Sequence, residues 1–183
     1  PILTWLYAPG EDVAAAIDRG IEVTVSSRWQ LDDVVAAAAR TGTTAPIQLK
    51  VDTGLARGGA LLDGEASAWH DLVAAVAAVV TDGAVEVRGL WTHFVYADAP
   101  DHPTVRGQQE VFAEAVAVAG RAGLRAPLQH IANSAATLTN PSAHLDMVRP
   151  GLAVYWLSPV PDLGGPQDFG LRELGFKTQL IGH

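Results

Sequence analysis

The sequence predicts an α/β protein built on a parallel sheet. Short apolar or β-branched runs alternate along the chain with longer Ala-rich stretches, in which apolar residues recur at helical spacing. Each apolar run is short enough to be a strand buried in a parallel sheet, and parallel strands need crossover connections between them. Right-handed crossovers lead to an open, doubly wound sheet or to a closed (β/α)8 barrel, and periodicity alone does not distinguish the two.

The predicted strands consist chiefly of Ile, Val and Leu, which favour buried parallel strands. They cover six short ranges of the chain: 2–6, 21–25, 46–51, 85–92, 128–132 and 145–148. Apolar residues three and four positions apart predict amphipathic helices between the first five of these strands. The helical patterns lie within the ranges 13–17, 31–38, 72–80 and 111–119.

Capping residues predict where the helices begin and end. Ser26 or Ser27 and Asp63 are candidates for N-caps, and Pro103 suits a first helical turn. Glycine is favoured just after a helix because it adopts the left-handed conformation easily. The glycines that follow the predicted helix ends are Gly20, Gly42, Gly83 and Gly123.

The composition excludes several classes of function. The chain has 12 Lys and Arg residues against 20 Asp and Glu, a formal net charge of −8, so it lacks the clustered cations that nucleic-acid phosphates require. No uncharged apolar run approaches the roughly 18 residues of a membrane span, and no basic segment of a signal peptide is visible. The chain has no Cys, which removes disulfides, thiolate catalysis and Cys-based metal sites. We therefore expect a soluble, cytoplasmic protein that binds neither nucleic acid nor membrane.

Polar residues follow the ends of the predicted strands, where the chemistry of parallel α/β folds is found. The third strand ends in KVDTGLARGG, which places Lys50, Asp52 and Arg57 at or just after its end. These residues suit an ordinary solvated turn. A Lys within a buried strand, however, must find an anionic partner or have a shifted pKa.

Two further strand ends carry candidates. His93 ends the fourth strand in GLWTHFVYAD, with Asp98 in the loop that follows, and it is either a hydrogen-bonded structural residue or a functional one. Asn133 and Ser134 lie at a strand-to-helix junction in HIANSAATL. They suit an N-cap, a phosphate site at a helix N-terminus, or both.

The last predicted strand ends at Arg149, followed by Pro150 and Gly151. An Arg at this place either binds an anion or pairs with a carboxylate. The amides of Gly151 and Leu152 are possible further donors to a phosphate. Together these strand ends predict a site for a phosphorylated cofactor.

Four motifs together resemble alanine racemases, the pyridoxal-phosphate enzymes whose N-terminal domain is a (β/α)8 barrel. The motifs KVDTGLAR, GLWTHF, ANSAATL and MVRPGLAVY occur in the family's order, and the resemblance covers nearly the whole chain. It implies that residues 1–157 form a partial (β/α)8 TIM barrel with about six of the eight strands. Residues 158–173 are then a linker rich in Pro and Gly, and 174–183 the first strand of a C-terminal β domain.

The resemblance implies catalytic and substrate-binding roles. Arg57 matches the arginine that reaches the phenolic oxygen of the cofactor and the carboxylate of the substrate. Lys50 matches a lysine that is carbamylated in many members and holds that arginine in place. Asp98 matches a residue on the substrate entry corridor.

The resemblance also implies how the cofactor, pyridoxal 5'-phosphate, is bound. Arg149 matches the arginine that faces the pyridine nitrogen, with His93 as its partner. Because a guanidinium does not give up its proton, the ring nitrogen stays unprotonated, which favours proton exchange at Cα over side reactions. The residues implied at the phosphate are Asn133, Ser134, Gly151 and Leu152.

The implied function is that of a homodimeric isomerase that interconverts L- and D-alanine and supplies D-alanine for peptidoglycan. No residue matches the family's Schiff-base lysine or its catalytic tyrosine, so we expect these residues alone to be inactive. Trp156 stands where the family usually has Gly, and it is either an ordinary exposed or linker-packed aromatic or a residue that crowds the site.

Three alternatives remain open on the sequence. The first is a racemase of broader specificity, acting on serine or other amino acids. The second is a non-catalytic pyridoxal-phosphate-binding protein on a related barrel, and the third is a folded remnant that serves as a scaffold. The linker and the strand-like FKTQLIGH argue against the second, because they indicate a following domain.

Overall fold

The computed structural model describes residues 2–169, which contain an all-parallel sheet with a helix between most pairs of successive strands. The strands are Leu3–Thr4 (β1), Glu22–Val25 (β2), Ala45–Asp52 (β3), Ala60–Leu61 (β4), Val85–Trp91 (β5) and Leu128–His130 (β6). The helices are Val13–Asp18 (α1), Arg28–Thr41 (α2), Ala68–Thr81 (α3), Pro103–Arg121 (α4) and Ser134–Thr139 (α5). Short 3-10 turns follow at Pro141–Ala143, Leu152–Tyr155, Pro161–Leu163 and Pro166–Phe169.

The strand order confirms the predicted β-α-β topology. Adjacent strands run β1-β2-β3-β5-β6, and the two-residue β4 pairs with β3 beside this path. Every pair is parallel. A parallel sheet of this order with crossover helices is the arrangement expected of a partial (β/α)8 barrel.

The core lies between the sheet and its helices. Val23, Ile47 and Leu49 of the strands are completely buried, as are Ile17 and Leu31 of the helices. Apolar burial on this scale is the main favourable term in folding. The core thereby fixes the strands whose ends carry the candidate site.

The indole of Trp69 ties two helices together. Trp69 on α3 is completely buried, and its Nε1 donates a hydrogen bond of 3.1 Å to the carbonyl oxygen of Ala115 on α4. A buried indole needs such a partner for its N–H. The same side chain therefore supplies apolar packing and a polar link between neighbouring helices.

The structure corrects several boundaries. The predicted strand at 145–148 is absent: Leu145 has φ of +47°, which breaks an extended run, and only Asp146 and Arg149 donate backbone bonds to the β6 side, at 3.1 and 3.0 Å. The strand β4 was not predicted, because two residues are too short for a periodic pattern. Ser67, not Asp63, occupies the N-cap position of α3.

The other predictions of residues at helix ends are confirmed. Ser27 is the N-cap residue of α2, and Pro103 opens α4. The four predicted glycines follow helix ends with positive φ: Gly20, Gly42, Gly83 and Gly123. Residues 158–169 of the predicted linker contain two 3-10 turns. Residues 170–173 and the strand predicted at 174–183 lie outside the described residues.

Gln108 of α4 joins the ends of β3 and β5. Its amide nitrogen donates to Thr53 Oγ1 at 2.9 Å and to the carbonyl oxygen of His93 at 3.1 Å. Its amide oxygen accepts a bond of 2.9 Å from the amide of Val95. The hydroxyl of Thr53 also lies 2.9 Å from that of Thr92. Since Gln108 is buried, these bonds fix the two loops relative to each other.

Gly89 lets a side chain cross the sheet. In the register of the sheet Gly89 lies between Gln48 of β3 and Leu128 of β6. A Cβ atom at position 89 would lie 2.8 Å from Gln48 Oε1 and 2.9 Å from the carbonyl oxygen of Leu128. The absence of a side chain here leaves room for the Gln48 amide over β5.

No helix within residues 2–169 is long and apolar enough to span a lipid bilayer.

We expect Gly89→Ala to lower the free energy of unfolding by about 2 to 3 kcal/mol, because the added methyl overpacks a site bounded by backbone. Gly120→Ala is the matched control, since Gly120 lies within α4 and a Cβ there meets nothing within 4 Å. The control should be neutral or stabilise the chain by up to about 1 kcal/mol, because Ala favours helix over Gly. Urea unfolding followed by circular dichroism measures both, and equal effects in the two variants would contradict the prediction.

Candidate active site

The carboxyl ends of three neighbouring strands bring the predicted residues together. Lys50 of β3 is in register with Trp91 of β5, and Trp91 with His130 of β6. The loops after these strands carry the other candidates on the same edge of the sheet. The expectation that these residues share the carboxyl edge of the sheet is therefore confirmed.

Lys50 is a buried cation without a carboxylate partner among the four ion pairs of the described residues. It is only 5% exposed, its Nζ donates a bond of 3.0 Å to the carbonyl oxygen of Arg57, and it lies 4.6 Å from the centre of the Trp91 ring. Burial lowers the pKa of the Lys50 ammonium, and the positive charge of Arg57 lowers it further. The Lys50 ammonium therefore loses its proton more readily than the ammonium of a solvent-exposed lysine.

Arg57 lies on an exposed turn shaped by Asp52. The carboxylate of Asp52 accepts bonds from the amides of Gly54, at 2.9 Å, and Ala56, at 3.1 Å. Ala56 has φ of +56°, so this capping stabilises a conformation that a non-glycine residue rarely adopts. The turn interpretation is thus correct for Asp52, while the Arg57 side chain projects from that turn.

Arg149 is held by neutral acceptors at the ends of two neighbouring strands, β5 and β6. Its Nη1 donates to Nδ1 of His130, and its Nη2 donates to the carbonyl oxygens of Thr92, at 2.7 Å, and Ile131, at 3.3 Å. Its Cζ lies 4.9 Å from the centre of the Trp91 ring. Burial lowers the pKa of Arg149 to about 10, so the guanidinium stays charged at neutral pH.

The partner of Arg149 differs from the one expected. His93 was the predicted partner, but in the structure the side-chain bond goes to the completely buried His130. His130 stands within the HIANSAATL motif, three residues before Asn133. A polar ring inside a buried strand needs a hydrogen-bond partner, and that signal could have identified it.

His93 is a neutral ring in a cationic surrounding. Burial, followed by the positive charges of Arg149, Arg57 and Lys50, lowers the pKa of His93 to about 4. Its Nδ1 is buried with no partner among the described residues. The ring therefore offers an unused polar atom at the end of β5.

The turn at Gly151 is bonded to the N-terminus of α5. Ser134 Oγ accepts a bond of 2.7 Å from the Gly151 amide and one of 3.4 Å from the Ala153 amide, so its own O–H proton remains available for another acceptor. Asn133 caps α5 by accepting a bond of 3.1 Å from the Ala136 amide. The N-cap interpretation is thus correct for Asn133, and it leaves Ser134 free to donate.

A cavity of about 410 Å³ collects most of the predicted residues. Trp5 forms one wall of this cavity. The predicted site residues that line it are His93, Asp98, Asn133, Ser134, Arg149, Gly151 and Leu152. Lys50 and Arg57 do not line it, but they lie close enough to lower the pKa of His93. The cavity is therefore bordered by positive charge, by hydroxyl and amide groups, and by aromatic rings.

Three buried polar atoms without a partner among residues 2–169 border this region or lie next to it. They are Arg149 Nε, His93 Nδ1 and Trp91 Nε1. Buried polar groups normally have partners, so unpaired donors beside a cavity indicate a place where a polar ligand binds. Three nearby cations and a hydroxyl donor fit a ligand that carries a phosphate or carboxylate group. No cluster of His, Asp or Glu within these residues could hold a metal ion.

Trp156 has a left-handed backbone, with φ of +62°. Glycine adopts this conformation without steric strain, which explains why Gly suits the position and marks Trp156 as a strained residue. The half-buried Trp156 does not line the cavity, so the structure gives no support to the idea that it crowds the site.

Comparisons with known proteins agree with this geometry. Residues 1–159 match the family described as "Alanine racemase, N-terminal domain". The chain is 52% identical to the alanine racemase of Frankia casuarinae over 172 residues, which are 94% of this chain and 44% of that protein. It is 46% identical to the alanine racemase of Streptomyces coelicolor, over 93% of this chain and 43% of that protein.

Solved structures give the same result. The crystal structure of the alanine racemase from D-cycloserine-producing Streptomyces lavendulae superposes with a TM-score of 0.87 and 47% identity, over 92% of this chain and 43% of that one. The chain thus spans less than half the length of the relatives that it matches. With a matching family description over most of its length, high identity and the same barrel strands, this chain belongs to the alanine racemase family.

Proposed function

We propose that this chain forms the cofactor-binding barrel part of an alanine racemase, an isomerase that interconverts L- and D-alanine with pyridoxal 5'-phosphate. The observation that carries the proposal is the cluster of Lys50, Arg57 and Arg149, which forms no ion pair with a carboxylate within residues 2–169 and adjoins the Ser134–Gly151 turn. Such a cluster favours a ligand with a phosphate at one end and a carboxylate at the other. The proposal includes a homodimer, a cytoplasmic location and supply of D-alanine for peptidoglycan.

The phosphate would bind where α5 begins. Ser134 has an unused O–H proton, and the Gly151–Leu152 segment borders the same cavity. Hydroxyl and backbone donors of this kind bind phosphate oxygens, and Asn133 keeps the helix end ordered by capping it. The residues that hold this end of the cofactor are thus Asn133, Ser134, Gly151 and Leu152.

Arg149 would face the pyridine nitrogen through Nε. Its Nη1 and Nη2 are already bonded to protein acceptors, while Nε is buried without a partner within residues 2–169. A charged guanidinium donates a hydrogen bond but does not transfer its proton at neutral pH. When bound, the cofactor supplies the electron-withdrawing ring that acidifies the Cα proton of the substrate, and an unprotonated ring does so only moderately. Arg149 therefore favours simple proton exchange at Cα.

His93 and Asp98 would shape the substrate side of the cavity. The neutral His93 ring adds no charge next to Arg149, so it leaves the guanidinium free of further repulsion. Asp98 is exposed on the cavity wall, at a place open to solvent. An exposed carboxylate on that wall fits a role in substrate entry.

Arg57 would bind the substrate carboxylate, and Lys50, once carbamylated, would hold Arg57 in place. Because its pKa is lowered, Lys50 is more often the neutral amine that attacks the carbon of CO2, losing a proton to solvent and becoming an anionic carbamate. The carbamate would turn a repulsive pair of cations into an attractive pair. Arg57 would then be held in place to contact the substrate.

Cofactor binding tests the proposal. We expect the chain to bind pyridoxal phosphate in equilibrium dialysis, in competition with inorganic phosphate. Arg149→Gln should weaken binding about tenfold, because a hydrogen bond from a charged donor is lost. Arg106→Gln is the matched control, since Arg106 forms an exposed ion pair with Glu110 away from the cavity. Equal affinities of the two variants, or no binding by the unaltered chain, would contradict the proposal.

Lys50 carbamylation has its own test. With 13C-bicarbonate at neutral pH, the chain should show a 13C carbamate resonance, because the lowered pKa of Lys50 leaves more neutral amine there than at an ordinary lysine. The resonance should vanish in Lys50→Arg and persist in Lys177→Arg, which changes the only other lysine of the sequence. A resonance that follows Lys177 instead would show that Lys50 is not the modified residue.

The 183 residues by themselves should not racemise alanine. No residue of this sequence matches the Schiff-base lysine or the catalytic tyrosine of the family, so both proton-transferring groups are missing. Chiral chromatography after incubation of L-alanine with the chain and pyridoxal phosphate checks this. Production of D-alanine above that of free pyridoxal phosphate would show that the expectation is wrong.

A further inference from the structure

A continuous series of buried hydrogen bonds runs from Arg149 to Glu22. Arg149 Nη1 donates to His130 Nδ1, His130 Nε2 lies 2.5 Å from Gln48 Oε1, and Gln48 Nε2 donates to Glu22 Oε2 at 2.5 Å. Glu22, Gln48 and His130 stand on β2, β3 and β6, and Arg149 lies in the loop between the 3-10 turns Pro141–Ala143 and Leu152–Tyr155. Glu22, Gln48 and His130 are 8%, 2% and 0% exposed. We call these four residues the relay.

The donor at one end determines the role of every other atom in the relay. A guanidinium has no acceptor atom, so His130 must accept at Nδ1. The neutral ring then carries its proton on Nε2 and donates it to the Gln48 oxygen. This orientation of the amide points its nitrogen at Glu22, whose carboxylate accepts. The relay is therefore consistent in one direction only, from the cation to the carboxylate.

The sheet is built to accommodate the relay. Gln48 reaches His130 by passing over β5 at Gly89, where a Cβ atom would lie 2.8 Å from its amide oxygen. The His130 ring stacks on Trp91 with ring centres 5.8 Å apart and planes 8° apart. Stacking thus keeps the His130 ring nearly parallel to the Trp91 ring. The hydrogen bonds at its two nitrogens then fix which nitrogen points at Arg149 and which at Gln48.

The relay also determines which donor Arg149 has left. One Nη is bonded to His130 and the other to main-chain oxygens, so Nε–H is the donor of the guanidinium without a partner within residues 2–169. If the His130 ring turned, Nη1 would lose its acceptor and the guanidinium would rotate. The direction of Nε–H therefore depends on a ring whose own orientation depends on Gln48 and Glu22.

We propose that Glu22 and Gln48 are positioning residues for Arg149, acting through the Nε2–H tautomer and the orientation of His130. The effect of this positioning on catalysis rests on the proposed function, in which Arg149 donates a hydrogen bond to the pyridine nitrogen of the cofactor. The relay itself is a property of the protein and can be tested with no cofactor present. Neither residue lines the cavity of about 410 Å³ beside Ser134, but both line a second cavity that shares Arg149 and Gly151 with it.

The first test uses the unaltered chain labelled with 15N. The His130 ring should show a protonated Nε2 and an unprotonated Nδ1 in 15N spectra, and a scalar coupling across the N–H···N bond should join Nδ1 to Arg149 Nη1. A proton on Nδ1 would overturn the proposal whatever the variants do.

The second test compares two substitutions of Glu22. Glu22→Gln keeps an oxygen that accepts from Gln48 and should retain the coupling and the tautomer. Glu22→Leu removes the acceptor, frees the Gln48 amide to turn, and should abolish or strongly reduce the coupling. Glu22→Leu leaves the Gln48 amide without its acceptor, which costs about 1 to 3 kcal/mol, so urea unfolding first establishes that both variants remain folded. Full retention of the coupling in a folded Glu22→Leu chain would overturn the proposal.

The third measurement separates the relay from the proposed function. Pyridoxal phosphate should bind about fivefold more weakly to Glu22→Leu than to Glu22→Gln, the effect of one misplaced hydrogen bond. If the cofactor binds the unaltered chain and the two variants equally well, the relay does not position Arg149 for it and the proposal fails. If the cofactor binds none of them, the proposed function fails, and the spectra alone decide on the relay.

Discussion

A guanidinium enclosed by protein, with no carboxylate beside it, must be stabilised by neutral acceptors. Arg149 meets this requirement with a ring nitrogen of His130 and two main-chain oxygens, and the face of Trp91 lies close to its Cζ. These acceptors come from the ends of two strands, β5 and β6, so the guanidinium can be held only if those two strands are in register. The site thus depends on the sheet, and the nearest negative charge along the hydrogen bonds is the distant Glu22.

Burial and an excess of cations over carboxylates explain the other titrating groups. Burial lowers the pKa values of Lys50 and His93, and the surrounding cations act in the same direction. The site is therefore prepared for an anion before any ligand enters, and its histidines stay neutral at neutral pH, since burial lowers the pKa of His130 to about 3 as well. This electrostatic surrounding suits a phosphate-bearing cofactor and a substrate carboxylate, and it is a property of the whole edge of the sheet.

The sequence predicted the parts that depend on local pattern. Alternating apolar runs located five strands, and the strand-end rule located Lys50, His93, Ser134 and Arg149 on one edge. The break at Leu145 was not predicted, because a positive φ at a branched residue leaves no mark in hydrophobicity. Nor were the partners Gln48 and His130, which stand on β3 and β6 and meet only because Gly89 of the strand between them has no side chain. Such contacts depend on how several strands align with one another in the sheet. The hydrophobic periodicity of a single sequence does not reveal that alignment.

Gly89 also limits how this protein can change in evolution. A side chain there would collide with Gln48, so positions 48 and 89 are epistatic and their substitutions do not add. Shortening residue 48 would relieve one collision, but a Cβ atom would still lie 2.9 Å from the Leu128 carbonyl oxygen, and a shorter residue would no longer reach His130. A single substitution at either position is therefore costly: one at Gly89 causes a steric clash, and one at Gln48 loses the hydrogen bond to His130. Glycine at position 89 is thus required by a side chain of β3, although the arginine that this side chain positions lies beyond β6.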